Sequence, residues 1–232
     1  MEGRNLNDAV LLIALLIGAI LMCLLTSVQM KWYGVKCWKS IIISVTIIFT
    51  GLIASELWFF LENGYWAGRS FYGAIFFAPL TFFPVARLLR IKYLDALDFC
   101  ATAGCLVLAV LKVQCMIEGC CAGIILYLNE DHMYVRFPSQ VVEFVCALVL
   151  TASMLTVSYH EKFRGRIYPL TLVLYGTSRF ALNLFRDDWV RTEQMNLPLP
   201  LGNIWSLVAV FVGVVWLCIY KGRAKMRGKT GR

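Results

Sequence analysis

The chain has 232 residues, 60% of them apolar, with a mean hydropathy of +0.72 and a formal net charge of +8. Soluble domains sit near half apolar with short apolar runs, whereas several runs here reach the roughly 20 residues that cross about 30 Å of hydrocarbon, which excludes a single water-soluble core. The basic residues lie mostly in short loops between those runs, where they set membrane topology; nucleic acid is excluded as a partner.

Seven apolar runs predict helices over 9–30, 40–61, 71–89, 95–117, 139–159, 167–185 and 204–220. The first follows MEGRNLND, which is no basic leader, and it is too long for a signal-peptide core, so a retained first helix is expected. The third contains Pro79 and Pro84; a kink is expected there, with neighbouring groups taking the freed carbonyls. The longest connections are 118–138 and 186–203. With no repeat and no composition break, the expected organisation is a single transmembrane domain over 1–232, an all-α bundle of about seven helices, with a basic tail at 221–232.

Lys and Arg sort by side. Lys31, Lys36, Lys39, Arg87, Arg90, Lys92, Lys162, Arg164, Arg166 and the six basics of 221–232 fall on one side, fifteen in all, and Arg4, Arg69, Arg136, Arg186 and Arg191 on the other. The rule that cytoplasmic loops are Lys/Arg-rich places the amino terminus outside, the carboxyl terminus in the cytoplasm, and both long connections on the outer face.

Two basic residues, Lys112 and Arg179, fall inside apolar runs. A cation near a helix centre costs roughly 2.5–3.5 kcal/mol on insertion scales, so each needs compensation. Lys112 is close enough to its helix end to snorkel; an ion pair with Glu56, Asp98 or Glu143, or an internal anion site, would serve equally. Arg179 lies in YPLTLVLYGTSRFALNLF with Arg186 two turns later on nearly the same face. Two guanidiniums in line suit a phosphate or carboxylate. Asp98, near an inner helix end, reads as structural, whereas Glu56 and Glu143 lie nearer the outer half and either could meet Arg179.

CMIEGCCAG, 115–123, holds Cys115, Cys120 and Cys121. Its spacing fits no common zinc pattern, and no metal is expected. A disulfide on the oxidising side and a thiol nucleophile both stay open, although no histidine stands close in sequence to activate a thiol. The remaining cysteines in apolar runs read as small hydrophobes. His132 and His160, the two histidines, read as loop residues and not as general bases.

The segments GRSFYGA (68–74), KVQCMIEGCCAG (112–123), RFPSQVVEF (136–144), YGTSRF (175–180) with Arg186, and PLGNIWSL (200–207) occur in that order. This series resembles the phosphatidylglycerol–prolipoprotein diacylglyceryl transferases of bacterial inner membranes, over residues from about 40 to 215. The resemblance implies seven helices with an outer amino terminus, a multi-pass protein of the bacterial cytoplasmic membrane, and no cofactor. It implies transfer of the diacylglyceryl group of phosphatidylglycerol to the cysteine thiol of a prolipoprotein signal peptide, with glycerol phosphate released. Membrane lipid and signal peptide are then the partners. It assigns catalytic positions to Arg179, Tyr175, Lys112 and Tyr72, and substrate-binding positions to Arg186, Gly123, Glu143, Gln140, Arg136 and Cys115. The sequence departs from the family pattern in four places: Tyr72 stands for a histidine, Lys112 for an arginine, Cys115 for an asparagine and Cys120 for an acidic residue. Glu56 also falls where the family has a basic residue. Two other readings fit these departures: the same fold acting on a different acceptor through a Cys120 or Cys121 relay, or a non-enzymatic accessory protein that keeps the anion pocket.

The basic asymmetry carries a direct test. A phosphatase fused after residue 232 should be inactive and one inserted within 118–138 active; the reverse pattern would invert the orientation and move the long connections to the cytoplasm.

Overall fold

The computed structural model describes residues 2–66, 68–119, 123–128, 134–186 and 198–230. Among them are seven α-helices: α1 (Glu2–Trp32), α2 (Lys39–Asn63), α3 (Phe71–Leu89), α4 (Tyr93–Glu118), α5 (Ser139–Tyr159), α6 (Ile167–Asn183) and α7 (Leu201–Thr230). Each corresponds to one predicted run. Six are long and apolar enough to cross a membrane; α6, with 17 residues, spans about 26 Å. Large apolar side chains point away from the bundle, among them Phe49, Ile53 and Phe211 at 65%, 65% and 69% exposure. A soluble fold would bury such groups. Together with the apolar spans they mark a multi-pass membrane protein.

One element is not an expected helix. Segment 118–138 contains a two-stranded antiparallel hairpin, β1 (Ile125–Leu128) with β2 (Tyr134–Arg136), irregular in register between Ile125 and Tyr127. Its base is tied to the end of α6: Gly123 bridges Arg186, and the Ile124 N–H donates to Phe185 O at 3.0 Å. An added Cβ at Gly123 would collide with the Phe137 carbonyl oxygen, so the crossing is open only to glycine.

Helix α4 packs against α1, α2, α3, α5 and α6. The core runs along it through Leu97, Phe99 and Ala103 to Met22, Ile43, Phe82, Ile167 and Leu172. Within α3 the two prolines sit in an unbroken helix. Pro79 lacks the N–H that would have taken the Ile75 carbonyl, and the Tyr168 hydroxyl of α6 donates to that carbonyl at 2.7 Å instead. The Tyr93 hydroxyl donates to Pro79 O at 2.9 Å. The expected compensation of the freed carbonyl is thus found, and it joins α3 to α6.

Helices α6 and α7 approach through small residues. A Cβ on Gly176 would stand 2.7 Å from Ser206 O, and one on Gly213 would stand 2.7 Å from Pro169 O. Close backbone approach maximises dispersion contact where lipid offers no hydrophobic drive between helices. Similarly, Gly73 lets α3 meet α2, where a Cβ would strike the Ala54 carbonyl oxygen.

The amino-terminal end of α6 is fixed by Asp98, which is fully buried on α4. Its carboxylate accepts the backbone N–H of Gly165, of Ile167 at 2.9 Å and of Tyr168 at 3.2 Å, and the Tyr33 hydroxyl at 3.0 Å. The N–H groups of Ile167 and Tyr168 belong to the first turn of α6 and have no partner inside it, and the helix dipole adds to the attraction. Burial and the neighbouring Asp98 push the Tyr33 phenol well above its ordinary value, so it remains a donor. The reading of Asp98 as structural holds. Asp98→Ala should lower the stability of the detergent-solubilised protein by about 3 kcal/mol, because several buried donors lose their acceptor at once. Asp98→Asn, which keeps one acceptor oxygen, should lose less; thermal unfolding measures both.

Candidate functional site

Glu143 stands in the second turn of α5, 3% exposed. Three cations from three directions converge on it. Its Oε2 pairs with Lys112 Nζ from α4 and with Arg179 Nη1 from α6. Its Oε1 takes Arg186 Nη1 at 3.1 Å. The three side chains are only 8%, 17% and 11% exposed. Lys112 therefore does not snorkel; it is held inside the bundle by a carboxylate. Glu56 plays no part here, since it pairs with Arg69 at 3.0 Å on an exposed surface.

The local structure explains the convergence. Lys112 lies a turn and a half before the end of α4, and Gly119 in the left-handed region (φ 66°) ends that helix. Arg179 follows from the packing of Gly176 on α7, which fixes the face of α6 that meets α5. Arg186 is not on the α6 helix, as the two-turn spacing suggested. The helix ends at Asn183, and Arg186 comes back toward Glu143 from the turn beyond it, anchored by its bridge to Gly123.

Behind the cations stand two buried tyrosines. Tyr72, 5% exposed, shares a hydrogen bond of 2.6 Å with Ser206 Oγ and donates to Gly202 O at 3.0 Å. The Arg179 guanidinium lies beside it. Tyr175, 4% exposed, packs its ring on Phe71 and Tyr72, with centroids at 5.3 and 5.9 Å. A narrow crevice opens between α5 and α6, lined by Glu143, Cys146 and Leu150 on one side and by Tyr175, Ser178, Arg179 and Leu182 on the other. Arg179 Nε is buried and has no hydrogen-bonding partner. Chemically, the arrangement suits an anion: two cations share one carboxylate oxygen, and a guanidinium keeps an unused donor.

The other sequence-predicted side chains are more exposed than Glu143. Arg136 is exposed, with Nη1 at 3.4 Å from Gly123 O. Cys115 is half-buried one turn past Lys112, and Gln140 is half-buried at the start of α5. Cys120, Cys121 and His132 lie outside the described residues. Among the described residues no cluster of His, Cys, Asp or Glu is arranged to hold a metal. Sequence reasoning missed Ser206, Asn183 and Asn203, all buried. The available signal was a polar residue inside an apolar helix, as in PLGNIWSL.

Removing the central carboxylate leaves buried cations uncompensated. Glu143→Gln should destabilise the protein by roughly 3–5 kcal/mol, the usual loss when one partner of a buried ion pair is deleted. Glu143→Gln combined with Lys112→Met should recover part of it; thermal unfolding in detergent separates the two.

The family model described as prolipoprotein diacylglyceryl transferase matches residues 11–219. Among curated proteins, the chain is similar to a phosphatidylglycerol–prolipoprotein diacylglyceryl transferase of Ehrlichia ruminantium (strain Welgevonden), 24% identical over 159 residues, which are 63% of this chain and 61% of that protein. It is also similar to the protein of the same description from Teredinibacter turnerae (strain ATCC 39867 / T7901), 27% identical over 172 residues, 64% of this chain and 60% of that one. The chain thus spans about three fifths of the length of the curated relatives it matches. With nearly the whole chain covered by the family model and the expected motifs gathered around one buried carboxylate, the chain belongs to the prolipoprotein diacylglyceryl transferase family.

Proposed function

We propose that this protein moves the diacylglyceryl group of phosphatidylglycerol to the cysteine thiol of a prolipoprotein signal peptide in the bacterial cytoplasmic membrane. The observation that carries the reading is the pairing of Lys112 and Arg179 with a single oxygen of Glu143 inside the bundle. A phosphodiester entering the crevice adds its two anionic oxygens to those of Glu143 as partners for these cations.

In the reaction a sulfur–carbon bond forms while the bond from the same carbon to the phosphate oxygen breaks. The bonding pair leaves on glycerol phosphate, and the proton of the thiol passes to that leaving phosphate or to water. Negative charge builds on the leaving phosphate, and fixed cations in a water-poor site stabilise it there. Arg179 takes the phosphate through its planar fork, with Lys112 as a point charge and Arg186 as a second guanidinium. Glu143 holds the three in place before the lipid arrives. Tyr175 walls the crevice. Tyr72, engaged with Ser206 and Gly202 O, orients Arg179 and the headgroup and is not the proton acceptor; a phenol at an ordinary pKa near 10 is a poor base at neutral pH. Gly123 permits the crossing that presents Arg186, while Arg136, Gln140 and Cys115 line the approach from the outer face. The orientation of the bundle, with this end outward, is part of the same reading.

The test is purified protein in phosphatidylglycerol vesicles with a signal peptide carrying the acceptor cysteine. Wild type should release glycerol phosphate and lipidate the peptide. Arg179→Ala should abolish both while the protein still inserts, and Arg179→Lys should be poor because the fork is lost. Tyr72→Phe should lose only about 1–2 kcal/mol of transition-state stabilisation, with an unchanged pH profile. Full activity in Arg179→Ala would refute the anion site, and a Tyr72→Phe protein dead at every pH would make Tyr72 the base.

A further inference from the structure

Next to the cation cluster the bundle buries two side-chain amides that bond to nothing. Asn183 ends α6 at 1% exposure, and Asn203 stands in the first turn of α7 at 0%. Neither the oxygen nor the nitrogen of either amide has a hydrogen-bonding partner. Buried polar groups are nearly always paired, with protein, water or ligand, and an unpaired one costs folding free energy. Four such atoms at one helix junction call for an occupant.

The place of these amides narrows what that occupant is. Asn183 lies one turn beyond Arg179 on the same side of α6. Its Nδ2 abuts Gly202, where a Cβ would stand 2.8 Å away, and Gly202 precedes Asn203 directly. The Gly202 carbonyl takes the Tyr72 hydroxyl at 3.0 Å, and Tyr72 lies beside Arg179. The amides therefore adjoin the anion site through Tyr72 and Gly202, on its outer side. Each amide offers donors and an acceptor. A hydroxyl, itself both donor and acceptor, satisfies such a pair. An ammonium group would add a positive charge beside Arg179 and Lys112 and would leave the amide donors unused.

We propose that Asn183 and Asn203 form a subsite for the hydroxyl-bearing portion of the phosphate ligand, so that a polyol headgroup is selected over an apolar or cationic one. The assignment rests on the anion-site reading above. It adds the two residues that discriminate among phosphates of equal charge. A site built to bond a hydroxyl rejects the analogue without it, because its polar groups are then left unpaired.

The test uses soluble probes and needs no turnover. Detergent-solubilised full chain is titrated calorimetrically with glycerol phosphate and with n-propyl phosphate, which share the phosphate and differ in the hydroxyls. Wild type should prefer glycerol phosphate by about tenfold or more, the worth of one or two hydrogen bonds. Asn203→Leu and Asn183→Leu, near in volume, should cut the preference to about twofold by weakening glycerol phosphate and leaving propyl phosphate unchanged. Asn203→Ser, which restores a small donor and acceptor, should regain part of it. Equal affinities in wild type, binding of neither probe, or a preference that survives in the Asn183→Leu/Asn203→Leu double variant overturns the proposal. If the leucine variants do not fold, the wild-type comparison together with Asn203→Ser decides. The parent reading fails differently: glycerol phosphate is then still preferred, but no diacylglyceryl group moves.

Discussion

One buried carboxylate holds the functional end of this molecule together. Glu143 draws Lys112 from α4, Arg179 from α6 and Arg186 from the turn beyond α6 onto its two oxygens. Without it, three cations at low exposure would repel one another in a medium that solvates none of them. With it, they are held close together and preorganised. The same arrangement is what a phosphate needs, and a carboxylate that keeps the cations assembled also stands as their internal competitor. Stability and ligand binding are therefore linked through a single group.

The rest of the bundle serves to bring α6 to that point. Its amino-terminal end is fixed by Asp98, which collects backbone donors of its first turn. Its length is pressed on α7 through Gly176 and Gly213. It meets α3 through the carbonyl that Pro79 sets free and Tyr168 takes. Its carboxyl-terminal end is tied to the hairpin through Gly123 and Phe185. A helix held at both ends and along one face has little freedom to slide, so Arg179 keeps its depth. The opposite face, toward α5, carries the crevice, which leaves one side of Arg179 approachable.

Much of this was legible in the sequence because membranes impose simple rules. Hydrocarbon thickness fixes run length, and all seven helices could be placed from it. The cost of intramembrane charge made Lys112, Glu143 and Arg179 stand out before any geometry was known. Partner choice was not legible. Glu56 and Glu143 are equal candidates for Arg179 in the sequence, and only packing separates Glu143 from Glu56, which faces Arg69. The hairpin is hard to read from sequence because ILYL and YVR are short and flank the polar run NEDHM, so the length of the connection conceals two strands. The place of Arg186 is hidden for a related reason: helix periodicity carries on past Asn183 in the sequence, where the chain has already turned. The buried asparagines carried a signal that went unused, since amides in apolar helices look less anomalous than charges.

The central claim is that the cations gathered on Glu143 receive the phosphate of a lipid headgroup. It is tested most directly by dipolar recoupling between the phosphorus of phosphatidylglycerol and nitrogen-15-labelled arginine side chains in reconstituted protein. A bidentate contact places phosphorus about 4 Å from guanidinium nitrogen. The account predicts a tightly bound lipid population whose phosphorus signal is dephased at that distance. This dephasing should vanish when Arg179 and Arg186 are both replaced by lysine. A phosphorus signal dephased no more strongly in wild type than in that double variant would contradict it.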